Sequence, residues 1–306
     1  MAEVTLSVVT VSWNSADYLP ECLLSAKRSA GEMSYEHVVV DNASTDGSAD
    51  RVAEILPEAV LVRNPENAGF ARASNLGAAR SRGRFLLFLN PDTVVLDDAL
   101  PRLVDRLGEH PRIGALSAKL VDRQGRWTAD NGYHVPTLRT LANTYLGLTR
   151  LVPYPALVPG IVRSRDFSGL EDCGWVSGAC LMTRREVFER ERWNEEIFFF
   201  GEDIEYCHRI RRLGYRVCAL GTARVVHHSG GSMSRQGPSF LAGKTSGIAL
   251  YLHDERGRAV AWLGTRIIRL GCYLRGLRHR LLYRWNGSGS SLGKARRLYQ
   301  YGRLDN

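Results

Sequence analysis

The feature that most constrains this chain is a rhythm in its first 100 residues, where short apolar, β-branched runs alternate with helical patterns. Leu6–Ser12 reads as a strand, and Tyr18–Ser29 as a helix with Leu19, Cys22, Leu23 and Ala26 at helical spacing. The pattern then repeats with a strand at 37–40, a helix at 48–56, a strand at 59–62, a helix at 69–79 and a strand at 85–89. Runs that are apolar on both faces, separated by helices, predict an α/β fold whose mostly parallel sheet is covered on both sides. In such a sheet, ligands bind beyond the carboxyl ends of the strands. The sequence puts polar residues there: Ser12-Trp13-Asn14 after the first strand, Asp41 to Gly47 after the second, and Asn90-Pro91-Asp92-Thr93 after the fourth.

Several classes are excluded early. There is no GxxxxGK[ST] loop and no GxGxxG turn after the first strand, which disfavours a P-loop ATPase and a standard dinucleotide enzyme. The longest stretch without a charged side chain, Val4 to Ala16, is 13 residues, short of the ~18 a membrane span needs. Glu3 leads straight into the first strand with no basic, apolar leader, and the six cysteines form no CxxC or zinc-type spacing. The expectation is a cytoplasmic protein with reduced thiols.

Each polar strand end also has a plain structural reading. Asp46 can cap the second helix, Asp41-Asn42 can form the turn before it, and Asp92 can be another turn residue. Asp97 and Asp98 read as the first turn of a helix running to Leu107. The functional reading gains weight because three separate strand ends converge on one edge.

Four segments occur in order: Asp41-Asn-Ala-Ser-Thr-Asp-Gly-Ser48, Asn67-Ala-Gly-Phe-Ala-Arg-Ala-Ser-Asn75, Asn90-Pro-Asp-Thr93 and Gly201-Glu-Asp-Ile-Glu205. Together they resemble the inverting GT-A glycosyltransferases of family 2, in particular the bacterial rhamnosyltransferase-like branch, over about residues 4–235. The resemblance implies a GT-A fold, Rossmann-like with helices flanking the sheet, and a catalytic domain over residues 1–235. Within it, about 1–100 forms a nucleotide-binding half and 101–235 an acceptor half.

The resemblance also assigns roles. Asp41 would accept a hydrogen bond from N3–H of uracil or thymine, beside the backbone of Thr10 and Val11, with Asn14 in the same nucleotide-sugar site. Asn67 and Gly69 would shape the loop under the nucleotide, and Arg72 would contact base or phosphate, though it also reads as a solvated surface arginine. Asp92 is the expected ligand for Mg2+ or Mn2+, in a segment where Asn90 replaces the first acid of the family's Asp-x-Asp. His227, with His228 as the alternative, completes the metal or diphosphate site. Adjacent histidines on a strand point to opposite faces, so at most one faces the cleft. Asp203 is the implied general base, with Glu202 supporting it or positioning the acceptor. The dipole alone also favours acids at a helix start. Trp175 is an acceptor platform or a core residue.

Residues 122–172, with Pro153, Pro155 and Pro159, read as a loop-rich excursion that could form a lid or part of the acceptor pocket. The C-terminal extension, 236–306, is helical and basic. From Arg256 to Arg303 there are 12 Lys plus Arg and no acid. Taking those 12 from the chain's 41 basic residues leaves 29 against 32 acids, so the net +9 belongs to the tail. Val260, Leu263, Ile267, Leu270, Leu274, Leu277 and Leu281 form one apolar helical face, with Gly264, Gly271 and Gly276 weakening the helix. That face suits an anionic membrane surface, or packing on the catalytic domain or within a homo-oligomer; nucleic acid is not the expected partner.

The functional expectation is a sugar transferase, best matched by L-rhamnose from dTDP-L-rhamnose. The acceptor is a glycan or a polyprenyl-diphosphate-linked sugar, in cell-envelope polysaccharide synthesis at the inner face of the plasma membrane. The alternatives are a non-catalytic nucleotide-sugar-binding scaffold of the same fold and, with the strand-end motifs unexplained, a nucleic-acid-binding protein using the tail.

Overall fold

The structure, a computed structural model, describes residues 4–128, 132–148, 159–162, 166–198, 200–228 and 239–286, with 293 and 298. In chain order the elements are β1 (Leu6–Ser12), α1 (Leu19–Ala30), β2 (Tyr35–Asn42), α2 (Ser48–Ile55), β3 (Val60–Asn64), α3 (Phe70–Ala79), β4 (Phe85–Leu89), β5 (Thr93–Val95) and α4 (Ala99–Glu109). They continue with β6 (Ile113–Val121), α5 (Leu138–Tyr145), β7 (Leu170–Asp172), β8 (Cys180–Arg184), α6 (Arg185–Arg190), α7 (Glu202–Arg212), β9 (Arg216–His227), α8 (Ser239–Arg256) and α9 (Arg258–Asn286). The predicted strand–helix alternation to residue 89 is present throughout, with boundaries moved by three residues or fewer.

One nine-stranded sheet runs in the order β3-β2-β1-β4-β8-β6-β9-β5, with β7 paired to β9. The β3-β2-β1-β4 portion is parallel. β8 lies antiparallel between β4 and β6, while β6 and β9 are parallel to each other. Residues alternate between faces as the pleat requires. Val8, Phe85, Leu87 and Leu89 join the core beneath α1 and α4, whereas Val9, Leu86 and Phe88 join the core beneath α3 and α7. With both faces covered, these strands have no water-facing side, which is why they read as unbroken apolar runs.

The 122–172 interval holds more structure than its composition suggests. Pro153 and Pro155 lie outside the described residues, but the interval contains α5, whose start is closed by a capping box between Thr137 and Thr140. The Thr-x-x-Thr spacing was visible in the sequence; it lacked the Glu or Gln that usually marks this motif. α5 is the dock for α9, which also packs along α8.

That docking uses a face of α9 other than most of the leucine stripe. Ala261, Ile268 and Cys272 are buried, while Leu263, Leu270, Leu274, Leu277 and Leu281 are exposed. The glycines thought to weaken the helix make the seam. A Cβ on Gly271 would lie 2.5 Å from the Tyr145 carbonyl oxygen, and one on Gly264 2.5 Å from a Leu252 methyl. Small residues let the helix backbones approach more closely than a leucine ridge allows. Gly271→Val should therefore overpack the α5–α9 seam and cost about 1–3 kcal/mol, read as a lower midpoint in thermal unfolding. An unchanged midpoint would show that the seam does not hold in solution.

Candidate active site

A cleft opens where β1, β2 and β4 end. Its walls include Val11 and Trp13 after β1, Asn42, Asn67, Gly69 and Phe70 around the β2 end and α3, and Asn90, Pro91 and Asp92 after β4. Ser177 to Ala179, Phe198, Phe200, Glu202, Asp203 and His227 complete the lining. The edge at which the sequence placed its polar strand ends is thus one side of the cleft.

Asn42 organises that edge. Its Nδ2 donates to Asn67 Oδ1 (2.8 Å) and the Gly69 carbonyl (3.2 Å), while its Oδ1 accepts from Asn64 Nδ2 and the Ala68 amide. Asn67 Oδ1 accepts the Gly69 amide as well, at 3.0 Å. Gly69 has φ +80°, and a Cβ there would collide with the Phe198 carbonyl. The Phe70 amide donates to that same carbonyl at 2.9 Å. This joins the start of α3 to the loop before α7, whose Phe200 and Gly201 both have positive φ. Only glycine fits at position 69, on conformation and space together.

Asp46 takes its plain role. Its carboxylate accepts from the Ser48 amide (3.0 Å) and the Ala16 amide (2.9 Å), tying the β1 and β2 loops together. Asn14, at φ +50°, works in the same joint: its Oδ1 accepts from the Thr45 amide at 2.8 Å. Asp97 and Asp98, expected to be structural, pair with Arg224 and Arg102.

Of the other expected site residues, Val11, Asn67, Gly69, Asn90, Asp92, Glu202, Asp203 and His227 line the cleft; Thr10, Asn14, Asp41, Arg72 and Trp175 do not. Thr10 points the other way along the pleat, its Oγ1 2.9 Å from His37 Nε2. Arg72, two residues past Phe70 and so about 200° around the helix, is exposed beside Arg192, Glu66 and Glu195. Trp175 is core: it is buried and stacked on Tyr133 at 3.6 Å and 3°. Asp41 is buried at the end of β2, with Oδ2 accepting from the Ser44 amide at 3.3 Å and Oδ1 buried without a hydrogen-bond partner. Sequence reasoning missed Trp13, Asn42, Phe198 and Phe200 as site residues. Only their positions at strand and helix ends hinted at them.

His227 is the histidine that faces the cleft, with Nε2 3.5 Å from Asp92 Oδ1. His228 packs against Tyr18 and accepts from Arg123 Nε at 3.2 Å; burial holds its imidazole below the usual range. The Ser229 to Ser232 part of that segment lies outside the described residues. Among the described residues, no group of three His, Cys, Asp or Glu is placed to hold a metal. Among the described residues, Asp92 and His227 come together in the cleft, and a hard ion bound there would take other ligands from phosphate oxygens.

Across the cleft, Asp203 Oδ2 accepts from the Gly178 amide (3.2 Å) and Oδ1 from the Ile204 amide (2.8 Å), which fixes the carboxylate at the start of α7. Its neighbour Glu202 is buried, and one of its carboxyl oxygens has no hydrogen-bond partner. Burial, and then the Asp203 charge beside it, push the Glu202 carboxyl well above the usual glutamate range.

The mostly parallel sheet flanked by helices, with a cleft at its strand ends, is the arrangement of the GT-A fold. The profile of the family described as "Glycosyl transferase family 2" matches residues 7–191, and the chain belongs to that family. It is 26% identical, over 82% of its own length and 84% of the relative's, to an N-acetylglucosaminyl-diphospho-decaprenol L-rhamnosyltransferase of Mycobacterium tuberculosis. It is 30% identical over 65% of its length to the O-antigen biosynthesis protein RfbC of Myxococcus xanthus, of which it spans 15%. Among solved structures it resembles S. aureus TarS 1–349 in complex with UDP (TM-score 0.52, 17% identity, 93% of this chain and 74% of that one). It also resembles GalNAc-T7 with UDP, GalNAc and Mn2+ (TM-score 0.53, 17% identity, 73% and 44%). These two show the fold alone.

Glu202 gives a pH signature. A glutamate in the unfolded chain ionises near 4.5, whereas buried Glu202 holds its proton well above that. Above about pH 5 the unfolded state binds fewer protons than the folded one, so Glu202 lowers stability progressively until its raised pKa is passed. Glu202→Gln removes that slope. The melting temperature of the variant minus that of the wild type should grow between about pH 5 and 8. A constant difference would mean that Glu202 is ionised in the fold. Gly69→Ala should break the α3–loop joint and weaken nucleotide binding measured by calorimetry.

Proposed function

We propose that this glycosyltransferase moves L-rhamnose from dTDP-L-rhamnose, with inversion, to a polyprenyl-diphosphate-linked or glycan acceptor in cell-envelope polysaccharide synthesis. The observation that carries this reading is a cleft lined by Asp203 and by the Asp92–His227 pair, at the sheet edge where α/β folds bind ligands. The decaprenol-linked acceptor in the name of the mycobacterial relative, aligned over most of both chains, supports a lipid-linked acceptor. It also supports work at the cytoplasmic face of the plasma membrane, with the basic C-terminal extension against anionic lipid. Among the described residues no helix is long and apolar enough to cross a membrane.

In the proposed mechanism, Asp203 takes the proton of the acceptor hydroxyl as its oxygen attacks the anomeric carbon, while the bond to the diphosphate breaks on the opposite face. The Gly178 and Ile204 amides aim the carboxylate for that transfer. Glu202, with a buried oxygen lacking a partner, hydrogen-bonds the acceptor or donor sugar. Asp41 Oδ1, buried and unpartnered, is matched to N3–H of thymine; a buried oxygen left unsatisfied costs about 1–3 kcal/mol. Asp92 and His227 would hold Mg2+ or Mn2+, which when bound stabilises the charge on the departing nucleoside diphosphate. Asn90, in place of an acid, leaves that site with one carboxylate.

Two measurements test the reading. A panel of dTDP-, UDP- and GDP-sugars, scored for metal-dependent turnover, should single out dTDP-L-rhamnose; turnover of a UDP-sugar instead would overturn the donor assignment. Asp203→Asn should lower kcat by about 10²–10⁴ with donor affinity unchanged. Equal rates for variant and wild type would remove Asp203 as the base.

A further inference from the structure

α9 has two apolar faces, and the catalytic body uses one. Ala261, Ile268 and Cys272 are buried, and Gly264 and Gly271 abut Leu252 and Tyr145. Arg275 also turns inward, donating to the Thr144 carbonyl and lying over the Tyr145 ring. The second face is the stripe Leu263, Leu270, Leu274, Leu277 and Leu281, each 39–55% exposed. Steps of seven, four, three and four residues keep these leucines in line along the helix. Trp262 and Tyr273 stand beside the stripe, more than half exposed, and Trp285, 86% exposed, ends it. Natural surfaces rarely leave so continuous an apolar row uncovered without a partner.

The charges choose the partner. α9 carries seven arginines and no acid, and Arg258, Arg266, Arg278, Arg280 and Arg284 are exposed, with Arg266 lying 5.1 Å over the Trp262 ring. A second copy packed stripe to stripe would face arginine with arginine, whereas helix pairs of that kind are matched by flanking charges of both signs. Nucleic acid would use the arginines and leave the leucines in water. An anionic lipid surface satisfies all three parts: leucines reach the acyl boundary, tryptophan and tyrosine sit at headgroup level, and arginines meet lipid phosphates.

We propose that the Leu263–Leu281 stripe and its flanking arginines are a membrane-docking surface that lies in the headgroup layer of an anionic bilayer while the opposite face of α9 stays bound to α5. This rests on the lipid-linked acceptor reading and gives it a geometry. α9 packs on α8, and α8 packs on α7, with Gly247 pressed against the backbone of Gly201, next to Glu202 and Asp203. The bilayer is thereby held at a fixed distance from the base, so a headgroup-anchored acceptor is delivered to one depth.

The test is co-sedimentation of the full chain with phosphatidylcholine vesicles, with and without phosphatidylglycerol. The wild type should bind the phosphatidylglycerol vesicles and release at high salt. The triple variant Arg266→Gln, Arg280→Gln, Arg284→Gln should bind them about 10²-fold more weakly, at about a tenfold loss per 1.4 kcal/mol. The variant Leu270→Glu, Leu274→Glu, Leu277→Glu should not bind. Its substitutions are on exposed positions, so an unchanged thermal midpoint confirms folding, and the arginine variant repeats the test without touching the stripe. Wild type that ignores phosphatidylglycerol, or variants that bind like wild type, would overturn the proposal. So would a wild-type dimer in size-exclusion chromatography that the leucine substitutions split without changing vesicle binding. Transfer to a water-soluble acceptor separates this proposal from the enzymatic one. Turnover without vesicle binding removes the docking surface alone, and vesicle binding without turnover on any acceptor removes the lipid-linked acceptor reading alone.

Discussion

Parallel pairing of β1 with β2 on one side and β4 on the other makes three chain segments leave the sheet at the same edge. The backbone hydrogen bonds of a buried central strand have no water to fall back on, so this register cannot slip without exposing a row of unpaired groups and turning core residues outward. Trp13, Asn42 and Asn90 are brought to a common edge by that pairing and by nothing local. The second half of the site depends on it too, because β8 pairs antiparallel with β4 and the Asn90 amide bonds to the Ala179 carbonyl. That places Ser177 to Ala179 against the first half, and Asp203 is hydrogen-bonded to Gly178 in turn.

The polar residues at this edge divide by whether their hydrogen bonds are met within the chain. Asn42, Asn14 and Asp46 spend theirs on neighbouring loops and make the cleft rigid. Asp41 and Glu202 each keep a buried oxygen without a partner. Buried polar groups are ordinarily hydrogen-bonded, and under the proposed function a ligand would complete these two carboxyl groups. The distinction is invisible in the sequence, where Asp41 and Asn42 are adjacent and equally polar.

The glycines of the C-terminal helix teach a similar lesson. A wheel of α9 shows a leucine stripe and interrupting glycines, and propensity marks the glycines as defects. In the fold Gly264 and Gly271 are contact positions: the Tyr145 backbone leaves no room for a Cβ at Gly271, and a Leu252 methyl stands where one would lie on Gly264. The leucines are left outside. Hydrophobicity alone does not say which face packs, since it counts apolar surface and takes no account of how near two backbones can come.

The sequence by itself determined the order of strands and helices to residue 89, the parallel start of the sheet, the four motif segments, and the confinement of the excess positive charge to the tail. These follow from local pattern and composition, which act over a few residues at a time. Tertiary structure decided which side chains reach the cleft. It sent Thr10 to His37, Asn14 to the β2 loop, Arg72 to the outer side of α3 and Trp175 to Tyr133, and it selected His227 over His228. It also found a helix in the 122–172 interval and settled which face of α9 packs on the body. The physical reason is the same in each case: orientation about a strand or helix axis is fixed by what packs against it, and those partners lie tens of residues away in the chain.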